Sequence, residues 1–284
     1  MNHPNFYKNL EPYLNIKDYS VSNENFELKK NTDMDMLVTL PVPKNLASYY
    51  ESENYISHTD GKKNWFEKIY QLVKKYTLQK KLTLINSLKP NTKTILDIGA
   101  GTGDFLLTCK NNNWNVSGVE PNLKAQKVAL KKGIDLKESI TEITDQKFDV
   151  ITMWHVLEHV ENLVEYIENL KLLLKENGWL IIAVPNYKSY DAKYYKNFWA
   201  AYDVPRHLWH FSKTSIKKLF SNETIKLVKI VPMKFDAYYV SLLSEKYKTG
   251  KMNIIKGFWI GFFSNLKANH SKEFSSHIYI LKNS

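Results

Sequence analysis

The sequence predicts an α/β fold built on a doubly wound, parallel sheet, and three observations carry that prediction. Thr94-Ile95-Leu96-Asp97-Ile98 is a short apolar run that turns through Gly99, Gly101 and Gly103 and enters a helix pattern at Phe105-Leu106-Leu107. Four strand-like segments alternate with helical ones before a fifth strand, which ends at Pro185. An aromatic, aperiodic stretch from Tyr187 to Phe211 then leaves the carboxyl end of that strand, where such sheets bind ligands.

The elements follow in order. Asn25-Phe26-Glu27-Leu28 and Met36-Leu37-Val38-Thr39-Leu40 flank a polar turn and predict a hairpin within an N-terminal extension, residues 1–60. Trp65, Phe66, Ile69, Leu72, Val73, Tyr76, Leu82, Ile85 and Leu88 recur at helical spacing over 62–88, and Lys89-Pro90 stops that helix. After the glycine turn, Asn115–Pro121 predicts the second strand, with an acidic terminus at Glu120, and Asn122–Lys132 a helix closed by Gly133. Residues 135–140 predict a weak third strand, Phe148–Trp154 a buried fourth, and Val160–Lys175 an amphipathic helix before the fifth strand at 179–185. Ser212-Lys213-Thr214-Ser215 caps a further helix, and strands are expected at 225–232 and 277–281. The domain is thus 61–284, with 233–274 as a helical insertion. In that insertion Ile254, Ile255, Phe258, Trp259, Phe262, Phe263 and Leu266 form one apolar stripe. The stripe is too short to span a bilayer; it suits a cap over the substrate cleft or, in segment 252–266, a membrane-surface contact.

The turn at 97–103 reads D-x-G-x-G-x-G rather than G-x-G-x-x-G. A carboxylate ending the strand disfavours a pyrophosphate and favours a cationic ligand. Asp97-Ile98-Gly99-Ala100-Gly101-Thr102-Gly103 resembles motif I of the class I S-adenosylmethionine-dependent methyltransferases. The resemblance implies a Rossmann-like seven-stranded sheet with an antiparallel last strand. It also implies Gly99, Gly101 and Gly103 against the methionine moiety and Asp97 at its amino group. Glu120, 23 positions after Asp97 at the end of the next strand, suits a ribose diol, with a helix cap as the alternative. Pro121, Ser139, Ile140, Met153, Trp154 and His155 are further cofactor-binding candidates by the same resemblance. Tyr50 is another, because tyrosines just before the core close over the cofactor in relatives; surface packing is its alternative. The extension resembles a zinc-ribbon hairpin found ahead of some of these enzymes, but the zinc-binding cysteines are missing.

Trp154-His155-Val156-Leu157-Glu158-His159-Val160 resembles the loop of small-molecule methyltransferases that include the ubiquinone-pathway O-methyltransferases. His155-Val156-Leu157-Glu158-His159 also matches the zinc-peptidase pattern H-x-x-E-H, but it follows a strand here, which argues against a peptidase. A helical loop would put His155, Glu158 and His159 on one face for a divalent metal, but cofactor contact and helix capping are favoured and no metal is expected. Asp203-Val204-Pro205-Arg206-His207-Leu208 is similar to a segment beside the acceptor in related enzymes. The catalytic candidates are His207 as a general base in the neutral range, Arg206 and Asp203 orienting it or the substrate, and His159. Arg206 is the only arginine in the chain, which suits a site needing a planar fork, or a structural pair with Asp203.

The expected activity is transfer of a methyl group from S-adenosylmethionine to a small molecule, at an oxygen. A net charge of +11 raises a nucleic-acid substrate, but the basic residues are lysines scattered along helix surfaces, which argues against it. A non-catalytic protein on the same fold is a third reading, opposed by the intact Asp97, glycines and Glu120. One cysteine, Cys109, and the lack of a signal segment predict a cytoplasmic protein.

Overall fold

The computed structural model describes residues 6–50, 65–221 and 224–284. Strands β1 (Leu10–Lys17), β2 (Asn25–Asn31) and β3 (Met36–Leu40) open the chain as an antiparallel sheet. Helix α1 (Trp65–Ser87) leads to β4 (Thr94–Ile98), α2 (Asp104–Lys110), β5 (Asn115–Val119), α3 (Leu123–Lys131), β6 (Phe148–Trp154), α4 (Leu163–Leu173) and β7 (Leu174–Pro185). The aromatic stretch folds as α5 (Tyr190–Tyr195), two short 3-10 turns and the two-residue strand β8 (Trp209–His210). Then come α6 (Lys213–Leu219), β9 (Ile225–Pro232), α7 (Asp236–Thr249), α8 (Ile254–Ser271) and β10 (Ser276–Asn283).

The central sheet runs β5-β4-β6-β7-β10-β9, parallel from β5 to β7, with β10 antiparallel to both its neighbours. It is buried on both faces, which is why its strands are near-continuous apolar runs. Ile95 and Val150 meet Phe105, Leu106 and Trp114 on one side, with Leu82 and Ile85 of α1. Leu96, Ile98, Ile151 and Ile182 meet Leu163, Ile167 and Leu170 of α4 on the other. The second half of α1 lies on the sheet, where Leu82 and Ile85 are buried, whereas Leu72, Val73 and Tyr76 of the expected stripe are exposed.

The described residues give six strands here, not seven. The expected strand at 135–140 is reduced to one parallel bridge, Val119 to Lys137. Lys137-Glu138-Ser139 offers no apolar side to bury, and Ser139 instead caps a short turn, its hydroxyl accepting from Thr141 N while Glu142 returns to the Ser139 backbone.

The N-terminal strands are joined to the central domain. β8 is the fourth strand of their sheet, pairing Leu37 with His210 and Val38 with Trp209. Thr39 hydroxyl donates to His207 O at 2.6 Å and stands 2.9 Å from His210 Nε2. The aromatic stretch is therefore mostly core: Trp199, Tyr202, Trp209 and Phe211 are fully buried.

In the insertion, α7 and α8 pack closely. A Cβ on Gly257 would lie 2.9 Å from Leu242, and one on Gly261 would lie 2.8 Å from Tyr238 Cα. Gly257, Gly261, Ser264 and Ala268, with Ile260, make the buried face of α8, so its aromatic residues point outward. Among the described residues no helix is long and apolar enough to cross a membrane.

Candidate functional site

The first half of the site is the turn between β4 and α2. Gly99, Gly101 and Gly103 have φ of 70, 53 and 74°, the left-handed region where side chains are strained. A Cβ on Gly99 would strike Val156 Cγ2 at 2.5 Å, so the turn is pressed against the loop after β6. A Cβ on Gly101 would meet nothing within 4 Å, so this backbone faces open space. Glu120 braces the turn: its Oε2 accepts from Gly101 N at 2.8 Å and its Oε1 from Asn122 N at 2.9 Å. The carboxylate is only partly covered, leaving lone pairs for a diol.

Asp97 ends β4, buried, and accepts from the Thr152 hydroxyl of β6 at 2.6 Å. Burial raises its carboxyl to about 6, against the opposing pull of Thr152 and Lys81. Lys81 of α1 holds its ammonium 4.2 Å from the Trp154 ring centre and 5.7 Å from that of Phe105, so this corner already accommodates a cation on aromatic faces. Trp154 Nε1 is buried without a hydrogen-bond partner. Open space at Gly101, a buried carboxylate, an orphaned indole donor and a half-free Glu120 fit a ligand with an ammonium group and a ribose. Met153, by contrast, is fully buried in the core on the face of β6 opposite Thr152.

The second half lies past β6. His155 has φ of 58° and its ring stands between two carboxylates, Nδ1 3.4 Å from Glu158 and Nε2 3.1 Å from Asp236 of α7. Burial alone would lower this imidazolium, but Asp236 and Glu158 outweigh it and raise it to about 10. The ring keeps 37% of its surface exposed, so solvent tempers that rise. Glu158 is 1% exposed, and neither oxygen accepts a hydrogen bond.

His159 Nδ1 is 2.9 Å from Arg206 O and 2.9 Å from the Tyr50 hydroxyl. Its ring meets that of His207 edge-on, with centres 4.6 Å apart. His207 Nδ1 is 3.0 Å from Ala201 O, and its Nε2 is 3.8 Å from Asp203 and 4.0 Å from Glu158. Arg206 forks onto Asp203 and reaches Tyr49 O and the Ser20 hydroxyl, tying three segments together. The Arg206 guanidinium, with His207, holds the Asp203 carboxyl below its usual range despite burial.

The structure thus gathers His155, Glu158, His159, Asp203, Arg206 and His207 into one cluster, and it puts Tyr50 there rather than at the glycine turn. One expectation needs correction. His207 is not poised in the neutral range: burial, then its neighbour His159, push the imidazole well below the usual value, so it is a weak base. Among the described residues, the group whose ligand atoms could together hold a metal ion is Glu158, His159 and His207, with His155 held between Glu158 and Asp236 instead. The sequence reading missed Lys81, Thr152 and Asp236. None lies in a motif, and only the packing of α1, β6 and α7 brings them in. Pro121, Ser139 and Ile140 lie beyond β5 and around its bridge with Lys137.

A family model described as a methyltransferase domain matches residues 64–228, more than half of the chain. An uncharacterised protein of Methanocaldococcus jannaschii is 28% identical over 61% of this chain and 80% of its own. The ubiquinone biosynthesis O-methyltransferase of Actinobacillus pleuropneumoniae is 33% identical over 33% of this chain, and that of Rickettsia felis 29% over 46%. The chain spans about half the length of these two enzymes, 46% and 58%. Among solved structures, a magnesium protoporphyrin IX methyltransferase from Synechocystis with bound S-adenosylhomocysteine superposes with a TM-score of 0.55 at 15% identity, covering 85% of this chain and 100% of that one. A possible histamine N-methyltransferase from Thermotoga maritima gives 0.53 at 17% identity, covering 84% and 99%. The glycine turn, its acidic partners and these matches agree: the chain belongs to the methyltransferase domain family and is a methyltransferase that uses S-adenosylmethionine.

Proposed function

We propose that the acceptor is a lipophilic small molecule methylated at an oxygen, and that the enzyme meets it at an anionic membrane surface. The cofactor supplies an electrophilic methyl group on a sulfonium, so the residues must align donor and acceptor and manage the acceptor's proton. Asp97 takes the ammonium, and Glu120 takes the ribose hydroxyls. The Gly101 backbone allows close approach, with Trp154 and His155 bordering the transferred group. The acceptor oxygen is placed at Glu158, His159 and His207, with the Asp203–Arg206 pair as the wall behind them. The ubiquinone-pathway relatives support oxygen as the atom methylated.

The observation that carries the membrane reading is the outer face of α8. Ile254, Ile255, Phe258, Trp259, Phe262, Phe263 and Leu266 are all exposed, from 39 to 74%. Residues 246–272 contain six lysines and no aspartate or glutamate. A bulky aromatic face ringed by lysine is the make-up of an interfacial helix on anionic lipid, each nearby lysine contributing about 1 kcal/mol. Asp236, which holds His155, starts the hairpin of helices bearing this face, so the surface adjoins the acceptor side.

Co-sedimentation with phosphatidylglycerol vesicles tests the surface. Binding that weakens with salt, fails on phosphatidylcholine and is lost in Trp259→Ser with Phe262→Ser is expected. Equal binding to both lipids, or to neither, refutes it. Release of S-adenosylhomocysteine, measured with phenolic acceptors carried in those vesicles, tests the oxygen. Methylation confined to amines overturns it.

A further inference from the structure

Glu158, His159 and His207 offer one ligand atom each, all within 4.8 Å of one another, from two segments of the chain. What these atoms lack is a proton between them. A backbone carbonyl only accepts, so His207 Nδ1, 3.0 Å from Ala201 O, carries the ring hydrogen. His159 Nδ1 stands 2.9 Å from Arg206 O and 2.9 Å from the Tyr50 hydroxyl; when it donates to the carbonyl, which the hydroxyl also reaches at 3.5 Å, it carries its own hydrogen. In that arrangement each ring turns Nε2, with its lone pair, toward the other two groups. The third member, Glu158, is 1% exposed with both carboxylate oxygens buried and neither in a full hydrogen bond. His155 is its nearest cation, at 3.4 Å, and that ring is shared with Asp236. His207 Nε2 stands 4.0 Å from Glu158 Oε1, lone pair toward carboxylate. His155, shared with Asp236, offsets only part of this charge, so the lone pairs and the carboxylate together favour a cation between them.

We infer that Glu158, His159 and His207 hold one divalent transition-metal ion of the zinc class. Two imidazoles and one carboxylate are the donor set of catalytic zinc and non-haem iron sites, whereas magnesium and calcium prefer oxygen alone. Backbone carbonyls on both Nδ1–H groups fix tautomer and ring orientation, as outer partners of metal-bound histidines do. Ligand bonds of about 2.1 Å in a tetrahedron put donor atoms about 3.4 Å apart, so the three close in by about 1 Å. Asp203 is not a fourth ligand, because both its oxygens are engaged by Arg206. The ion keeps an open position. Where the acceptor reading above is adopted, the acceptor hydroxyl binds there and is acidified, which removes the need for a strong protein base.

The test is a titration of the full chain, stripped by chelator, with Co(II). Expected is one equivalent bound with visible d–d absorption, displaced by one equivalent of Zn(II) and not by millimolar Mg(II). His207→Ala and Glu158→Gln should each weaken uptake by about a hundredfold or more. Calorimetry with S-adenosylhomocysteine runs alongside as the check that each variant is folded and as the separate test of the cofactor site. Failure of the wild-type chain to bind Co(II) saturably overturns the inference whatever the variants do. So does unchanged stoichiometry and spectrum in both variants, and displacement by Mg(II) overturns the ion class.

Discussion

The two halves of the cleft are built in different ways. The cofactor half is local: Asp97 to Gly103 is one strand and one turn, and Glu120 bonds Gly101 across a separation of only 19 residues. The acceptor half is assembled from afar, with Tyr50 joined to His159 over 109 residues and His159 to Arg206 over 47. The cofactor half leaves polar atoms open, at Trp154 Nε1 and around Gly101, and waits for a ligand. In the acceptor half most polar atoms of the described residues are already spent on protein partners, and the lone pairs of Glu158, His159 and His207 remain. The difference teaches that the common reagent is recognised by a short stretch of backbone, whereas the specific substrate is recognised by tertiary structure.

If that division is right, damage to one half should spare the other. The largest effect is expected at the turn. Asp97→Ala removes a charge-assisted contact to an ammonium, worth about 1.5–3 kcal/mol and more where buried. Gly101→Val puts a β-branched side chain at φ 53° and into the open space. Each should lower S-adenosylmethionine affinity about a hundredfold or more by calorimetry, and near-normal affinity in both would break the comparison. Next, Glu158→Gln and His207→Ala should cost about a hundredfold in turnover while cofactor affinity stays within about threefold. Equal loss of both quantities would show that the halves are one.

This contrast also explains what could be read from the sequence. The sheet, the glycine turn, Asp97 and Glu120 are legible because period-2 and period-3.6 patterns and turn chemistry are local. The third strand was over-read at 135–140, where Ser139 offered the backbone a competing cap. β1 was missed although Leu10, Leu14 and Ile16 alternate along it, because Pro12 stands inside the run, where the pairing register shifts, and a proline argues against a strand. His207 was read as a neutral-range base from its residue type alone, and its burial between Ala201, His159 and Asp203 is a tertiary fact. The stripe of α8 was legible as a stripe. Its orientation was not, because the deciding signal was the small-residue face of Gly257, Gly261, Ser264 and Ala268 opposite it.

A smaller effect sharpens the comparison through pH. Burial raises the Asp97 carboxyl to about 6 in the free protein, against about 3.9 in an unfolded chain. The group then favours the folded state below the unfolded value, and that contribution is lost as pH rises through 6. A bound ammonium prefers the ionised form. Cofactor affinity should therefore fall as pH drops below 6, by up to about tenfold per unit. Calorimetry from pH 5 to 8 reads this directly. A flat profile would mean that another group meets the ammonium, with Asp97 held by Thr152 alone.

The smallest effect separates scaffold from chemistry within the acceptor half. Arg206 is the chain's single arginine, and among the described residues it bonds both Asp203 oxygens, Tyr49 O at 3.4 Å and the Ser20 hydroxyl at 3.1 Å. Asp18 supports the same corner by accepting from Ser20 N and hydroxyl, Val21 N and Ser22 N and hydroxyl, which lowers its carboxyl against the cost of burial. Such a planar fork joins the loop after β1, the turn before Tyr50 and the loop bearing His207, and an ammonium cannot reproduce it. Arg206→Lys should keep the charge beside Asp203 but lose the bridging bonds, a loss of about 1–2 kcal/mol. A fall of a few degrees in melting temperature is expected for a chain of this length. Once an acceptor is in hand, kcat should drop less than in His207→Ala, with KM rising as the loop loosens. A scaffold residue predicts that Arg206→Lys and a deletion of its partner, Asp203→Asn, share most of their stability loss in a double-mutant cycle. A residue that grips the substrate instead predicts unchanged melting and a turnover loss as large as that of the histidine, and that outcome would move Arg206 from the wall of the site into its chemistry.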